Sequence, residues 1–247
     1  MSSMKLIDTH CHIFDLPKEY NLPDQISPVV VGYNHSSNKK VINYFGKYPT
    51  ALGIAPQTAV REDYSKLEEW CAFVEENIGS ANAVGEVGLD YKWAQNMVHV
   101  ERQRELFDRM LKIAKNSKKP IVIHSRNNPN ENEVPKNAID EILEKVKGFK
   151  FLMHFYSGNS EQAKRIVAMG GGISISHLRS KERRKVIEES PIDRLVVESD
   201  CPYIGRTPEV VLEAAKYIAE VKDMEFVEVA HATTANAVKF FEVEKYV

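Results

Sequence analysis

Short runs of β-branched and aliphatic residues alternate along the chain with longer stretches whose apolar residues recur every three or four positions. In the stretch Arg104–Ala114, for example, Leu106, Phe107, Met110 and Leu111 share one helical face and charged residues occupy the other. The short runs are predicted as strands: Lys5–His12, Pro28–Gly32, Ala51–Ala55, Ala83–Val87, Pro120–His124, Phe149–His154, Gly172–Ser176 and Arg194–Glu198. The long stretches are predicted as helices: Asn38–Tyr48, Tyr64–Asn77, His99–Asn116, Lys136–Val146, Glu161–Met169, Ser180–Glu189, Pro208–Val221 and Phe226–Phe241.

This alternation predicts a parallel sheet, because each helix returns the chain to the same edge by a right-handed crossover. Eight such units in 247 residues predict one domain, residues 1–247, folded as a (β/α)8 TIM barrel of the α/β class. An open doubly wound sheet is the competing architecture. It favours a glycine-rich phosphate loop after the first strand, and residues 8–17 (DTHCHIFDLP) contain no glycine.

Composition narrows the class of protein. Lys and Arg number 33 and Asp and Glu number 35, so the net charge of −2 excludes a strongly basic coat for nucleic acid. A nucleic-acid substrate would have to be held at a local site. The three cysteines, Cys11, Cys71 and Cys201, show no CxxC spacing and favour a reducing cytoplasm. No stretch approaches the roughly 18 apolar residues of a membrane span, so no membrane partner is expected.

The segment Asp8–His12 (DTHCH) carries the first chemical signal. Side chains alternate along a strand, so we expect Asp8, His10 and His12 to share one face. Two imidazoles at this spacing can bind one cation together, although the pattern alone is a weak signal.

Four more potential ligands end predicted strands: Glu86 the fourth, His124 the fifth, His154 the sixth and Asp200 the eighth. Barrel enzymes build their active sites at the carboxyl ends of the strands, so this arrangement predicts a metal site there. Arg126, two residues beyond His124, is a candidate to bind a substrate phosphate, and a salt bridge to a rim acid such as Asp90 is the alternative. Four aromatic residues are candidates either to stack on bases or to pack the rim: Tyr91, Trp93, Tyr156 and Tyr203.

Five segments appear in the order and spacing of one known family: DTHCH, GEVGLDY (Gly85–Tyr91), IHSR (Ile123–Arg126), HFYSG (His154–Gly158) and ESDCPY (Glu198–Tyr203). The chain therefore resembles the TatD-type metal-dependent hydrolases, the TatD DNase family of the amidohydrolase-like superfamily. The resemblance runs nearly end to end, to Thr233–Phe241. It implies a barrel with a one- or two-metal centre that hydrolyses phosphoesters, often DNA. It also implies the ligand set, with Glu86 bridging: His10, His12, Glu86, His124, His154 and Asp200.

Ligand chemistry agrees with this implication. His10, His12 and Asp200 can hold one cation, His124 and His154 a second, and Glu86 can span both. Zn²⁺, Mn²⁺ and Mg²⁺ all suit such ligands. Two dications set against Glu86, Asp200 and a bridging hydroxide leave a charge of about +1, which favours a phosphoester. Catalysis by Glu86 and Asp200 is then expected: a metal-activated hydroxide attacks phosphorus, and Asp200 takes the proton from the attacking water.

The chain also departs from the family pattern. Ala55 stands where a histidine is usual in Gly53–Pro56 (GIAP), Phe155 replaces the usual cysteine, and the segment after Asp200 leads almost directly into a helix. Two other functions stay open. The same centre can hydrolyse an amide, ester or lactone, because one barrel hosts many chemistries. A non-catalytic barrel used as a binding module is the other. No motif indicates a protein partner.

Overall fold

Eight parallel strands form one sheet in the computed structural model, which describes residues 5–130 and 132–244. The strands pair in chain order, each with the next. Their bounds are β1 Leu6–Cys11, β2 Ile26–Val31, β3 Thr50–Leu52, β4 Ala83–Asp90, β5 Ile121–Arg126, β6 Phe151–Met153, β7 Gly172–Ile175 and β8 Leu195–Val197. The sheet closes where the backbone N–H of His12 donates to Cys201 and that of Asp200 donates to His10, each at 2.9 Å. The predicted (β/α)8 barrel is confirmed.

Helices follow the strands: α1 His35–Val41, α2 Thr58–Arg61, α3 Leu67–Asn77, α4 Met97–Ser117, α5 Ala138–Lys145, α6 Ser160–Ala168, α7 Lys181–Glu189, α8 Val210–Lys222 and α9 Phe226–Phe241. The sequence pattern did not predict α2, because four residues are too few to show a helical period. Within the described residues, no helix combines the length and the apolar character needed to cross a membrane.

Strands β4 and β5 extend beyond the predicted ends, Val87 and His124. They pair with each other as far as Asp90 and Arg126, so polar residues that follow the apolar runs still belong to the ladder. This extension carries the side chain of Asp90 on regular backbone near the rim, where it contacts His124 at the predicted end of β5. Strand geometry holds such side chains more rigidly than a loop would.

A layer of apolar side chains fills the lower part of the barrel. It contains residues from seven strands and from the end of α9: Ile7, Val29, Val31, Ala51, Ala83, Val122, Leu152, Val196, Phe240 and Phe241. A larger apolar cluster lies between the strands and the helices. Because side chains alternate along each strand, the positions above this inner layer point into the barrel toward the carboxyl ends. Those positions are polar, and they form the candidate site.

Candidate metal centre

Strands β1 and β4, which carry His10 and Glu86, each contain a β-bulge of one extra residue. In β1, Asp8 pairs with Pro28 of β2 and Cys11 pairs with Val30, so β1 advances by three residues where β2 advances by two. Strand β4 has a matching shift between Val84 and Val87. A bulge of this kind resets the alternation of side chains.

The expectation that Asp8 shares a face with the two histidines is therefore wrong. Asp8 accepts hydrogen bonds from the backbone N–H of Ser199 at 2.9 Å and from its hydroxyl at 2.5 Å. These hydrogen bonds connect β1 to the segment after β8. The carboxylate of Asp8 lies beside the thiols of Cys11 and Cys201.

His10 and Glu86 meet inside the barrel above the inner layer. The bulges in β1 and β4 turn both side chains inward, and His10 Nε2 lies 3.6 Å from Glu86 Oε2. His10 is fully buried, and neither of its ring nitrogens has a hydrogen-bond partner among the residues that the structure describes. Buried polar atoms are almost always paired, so an imidazole left bare at this point is suited to bind a cation.

His12 follows β1 and lies beside Asp200. Its Nδ1–H donates to the carbonyl oxygen of Val31 at 2.7 Å, which leaves the Nε2 lone pair directed at the site. That Nε2 lies 3.4 Å from Asp200 Oδ1. A backbone acceptor that fixes the tautomer of an imidazole is typical of metal-binding histidines.

His124, near the end of β5, lies between two carboxylates. Its Nδ1 lies 2.7 Å from Glu86 Oε1, and its Nε2 lies 2.7 Å from Asp90 Oδ2. The side-chain amide of Gln57 also donates to Asp90 Oδ2, at 3.1 Å. Asp90 and Gln57 thus orient the ring of His124 toward Glu86. Asp90 does not pair with Arg126, the alternative that the sequence left open.

His154 follows β6 and completes the group. Its Nδ1 contacts Glu198 Oε2 at 3.0 Å, while its Nε2 lies 3.9 Å from Glu86 Oε1 and 4.0 Å from Asp200 Oδ2. The ring stacks on that of His10, with 3.5 Å between the centroids. Glu198 therefore supports His154 in the way that Asp90 supports His124.

Two groups of ligand atoms, each gathered within 4.8 Å, share Glu86: His10, His12 and Glu86, and Glu86, His124 and His154. A third group, His10, His154 and Glu198, overlaps both through its two histidines. Asp200 lies at the edge, in contact with His12 and His154. Nitrogen and carboxylate donors without thiolate suit a borderline or hard divalent cation, so the residues fit a metal centre. The structure brings the six predicted side chains together, and their role as ligands stays a prediction.

Charge and burial set the protonation of the site. Burial alone would raise the pKa of Glu86, but His10 and His124 hold it well below its usual range. Burial also opposes the charged form of both supported histidines. The carboxylates of Asp90 and Glu86 nevertheless raise the pKa of His124 to about 10, and Glu198 raises that of His154 to about 9. Burial, and then the neighbouring His154, lower the pKa of His10.

Loading the metal-free protein with a divalent cation near pH 8 is expected to release about two protons, because a ligand imidazole must be deprotonated. His124 and His154 both carry an extra proton at that pH, given pKa values of about 10 and 9. The affinity should therefore fall as the pH is lowered. Calorimetry in two buffers of different ionisation enthalpy measures the proton count, and a binding enthalpy that is independent of the buffer would contradict the expectation.

Replacing Asp90 by asparagine is expected to weaken metal binding by about 10- to 100-fold, because the carboxylate that orients His124 and increases its basicity is lost. Asp90 is fully buried and does not line the cavity above the site, so direct contact with a substrate in that cavity does not explain such a loss. Competition with a fluorescent chelator measures the affinity. The variant Asp24→Asn, at an exposed position, is the matched control. Equal affinity in both variants would show that Asp90 does not support the centre.

A bowl of about 530 Å³ opens above the six side chains. Its lining includes five of them and, toward the rim, Gln57, Arg61, Trp93, Arg126 and Tyr203. Arg126 is exposed there, where a substrate can reach it. Of the four aromatic candidates, Trp93 and Tyr203 line the bowl, whereas Tyr91 and Tyr156 are buried, 0% and 2% exposed, and pack the rim.

The residue that the sequence analysis missed is Gln57. It lies in an irregular segment between β3 and α2, and neither a strand end nor a motif marked it. Its two contacts, to Asp90 and His124, arise only from the close approach of this segment to β4 and β5. Ala55, where the family usually carries histidine, also lines the bowl.

The chain matches a known protein family over nearly its whole length. The family model for TatD related DNase matches residues 7–242. YabD of Bacillus subtilis, named an uncharacterized metal-dependent hydrolase, is 29% identical over 96% of this chain and 99% of its own. Human TATDN3, named a deoxyribonuclease, is 28% identical over 96% of this chain and 94% of its own. The crystal structure of YjjV, a TatD homologue from Escherichia coli, matches with a TM-score of 0.80 at 26% identity, over 96% of this chain and 98% of that one.

Proposed function

Because the chain belongs to the TatD family of metal-dependent hydrolases, we propose that it hydrolyses phosphodiester bonds, with DNA as the substrate, at a centre of two divalent metal ions. The observation that carries the proposal is the pair of ligand groups that share Glu86. One oxygen of Glu86 faces His10 and the other faces His124, so this carboxylate can bind two cations a few ångströms apart. Two-metal sites of this kind are common in nucleases and phosphatases.

In this proposal His10, His12 and Asp200 would hold one ion, His124 and His154 would hold the other, and Glu86 would be a ligand of both. When bound, such ions would make a water at the centre more acidic and would offset the charge that develops on the phosphoryl oxygens. Zn²⁺, Mn²⁺ and Mg²⁺ are the candidates, since the donor set suits each of them.

Asp200 is the group placed to move a proton. Although burial acts to raise its pKa, His12, His154 and His10 hold that pKa below the usual range, so Asp200 is a carboxylate at neutral pH. One of its oxygens faces His12 and the other faces His154, and the side chain lines the bowl. A water attacking a substrate at the floor of the bowl can therefore transfer its proton to Asp200.

Arg126 binds the substrate from the rim. It is exposed, lines the bowl two residues beyond His124, and forms no ion pair within residues 5–130 and 132–244. A guanidinium with free donors matches the paired oxygens of a phosphate. The nearly neutral chain requires this kind of local recognition, because a net charge of −2 attracts no polyanion to the surface as a whole.

Parallel assays on two panels of substrates test the proposal. Protein stripped with a chelator is reloaded with Zn²⁺, Mn²⁺ or Mg²⁺ and offered DNA oligonucleotides, a model phosphodiester, and esters and lactones. We expect hydrolysis of the oligonucleotides and of the model phosphodiester, and none without metal. The variant His154→Ala, purified in the same way, controls for contaminating nuclease. Turnover confined to esters or lactones would overturn the proposal in favour of carbonyl chemistry, and turnover of neither panel would favour a binding module.

A further inference from the structure

A stacked pair of side chains stands at one side of the bowl. The guanidinium carbon of Arg61 lies 3.7 Å from the centre of the Trp93 ring, which is direct contact with one face of the indole. Arg61 ends α2 and Trp93 follows β4, so two separate segments bring the pair together. Both side chains line the same bowl as Glu86 and His124.

The indole of Trp93 is open to solvent although it is held from one side. Trp93 is 38% exposed, which is unusual for so large an apolar side chain. The contact with Arg61 restrains the ring without covering it completely. A restrained aromatic face that is partly bare binds another flat ring with little loss of side-chain entropy.

The charges around the pair select what can approach. Arg61 and Arg126 both line the bowl, and neither makes an ion pair within the part of the chain that the structure describes. The same lining also holds three carboxylates: Glu86 and Asp200, whose charge the proposed metal ions would offset, and Glu62, which accepts a hydrogen bond from Asn34. With those ions bound, the two guanidinium groups favour an anionic ligand over a cationic one. A flat group that carries a phosphate is attracted by both features at once.

The aromatic residues on the other side of the bowl do not offer the same combination. The hydroxyl of Tyr203 contacts Asp15 and the hydroxyl of Tyr33, each at 3.0 Å. Tyr33 also donates to Asp15 at 3.0 Å. Both phenolic hydroxyls therefore already donate to Asp15, which also pairs with Lys40, so neither hydroxyl offers a free donor to a phosphate there.

We propose that Trp93, held by Arg61, is a stacking subsite for the base of a nucleotide whose phosphodiester lies at the metal centre. This inference rests on the proposed function, and it narrows the substrate to an ester that carries a nucleobase beside the reacting phosphate. Stacking depends on the flat face of the ring and not on hydrogen-bond patterns, so all four bases are accepted.

Tryptophan fluorescence tests binding without any turnover. The chain has two tryptophans, and the other, Trp70, is buried against the core, so a ligand in the bowl reports through Trp93. We expect a deoxynucleoside monophosphate to quench the emission saturably, and deoxyribose 5-phosphate, which lacks the base, to leave it unchanged. The quenching should disappear in Trp93→Leu. Equal effects of the two ligands, or quenching that survives in Trp93→Leu, would overturn the subsite. Stronger quenching by a short oligonucleotide would identify a strand as the ligand, and stronger quenching by the mononucleotide would identify a free nucleotide.

Abasic substrates test the same subsite during hydrolysis. An oligonucleotide that lacks the bases on both sides of the cleaved bond should lose roughly tenfold in kcat/KM with the wild-type protein, mainly through KM. Trp93→Leu should cleave the normal and the abasic strands equally, at the wild-type rate for the abasic strand. Tyr203→Leu, which removes an aromatic ring from the opposite side, is the matched control and should keep the preference. A wild-type protein that cleaves both strands equally well contradicts the subsite alone, whereas cleavage of neither strand contradicts the proposed function.

Discussion

Replacing Glu86 by glutamine is expected to lower kcat/KM for a phosphodiester by roughly a thousandfold or more. Among the described residues, Glu86 is the carboxylate common to both groups of ligand atoms. Glutamine keeps the size of the side chain but removes its charge and one acceptor oxygen, so neither cation is held or neutralised as before. The fold should persist, because the substitution leaves the packing volume almost unchanged.

Steady-state kinetics with each metal supplied in excess measures this loss, and circular dichroism with thermal unfolding checks the fold. Glu62→Gln is the matched control. Glu62 also lines the bowl, but it lies on the rim, where it accepts a hydrogen bond from Asn34. The control should retain turnover within a small factor of the wild type. Wild-type turnover in Glu86→Gln with metal supplied would remove the assignment of the centre.

Replacing Asp200 by asparagine should lower kcat by about 10² to 10⁴, the range that a positioned proton acceptor contributes. The amide cannot take a proton from the attacking water. The carboxylate pKa lies below its usual range because of His12, His154 and His10, so in the wild type kcat should fall only at acidic pH. That acidic limb should change or disappear in the variant, while KM changes little.

Metal content and metal titration separate two roles of Asp200, that of a ligand and that of a proton acceptor. If Asp200 acts on the proton, a variant saturated with metal stays slow. Full recovery of kcat at high metal concentration would contradict the proton-transfer role and leave Asp200 as a ligand only. An unchanged kcat at every metal concentration would contradict both roles.

The barrel and the position of the site were predictable because both depend on periodic features of the sequence. Glu86, His124, His154 and Asp200 each stand at or near the end of an apolar run, and parallel strands in a barrel bring their carboxyl ends to one rim. Residues far apart in the chain could therefore be placed together before any distance was known. The resemblance to the TatD family named the same residues independently.

Other parts of the site depend on backbone irregularities that leave no periodic signal. The bulge in β1 separates Asp8 from His10, against simple alternation. Gln57 reaches Asp90 from a loop whose path follows from tertiary packing alone. The sequence also could not tell which aromatic residues line the bowl. Tyr91 and Trp93 lie two positions apart, yet Tyr91 is fully buried and Trp93 lines the bowl.

A crystal structure of the metal-loaded protein, with anomalous-scattering data at the absorption edge of the metal, tests the central claim most directly. The account predicts two anomalous peaks about 3.5–4 Å apart at the floor of the bowl. Glu86 should contact both peaks, with His10, His12 and Asp200 around one and His124 and His154 around the other. If crystals saturated with metal show no anomalous peak among these six side chains, or show peaks only elsewhere, the proposed metal centre is contradicted.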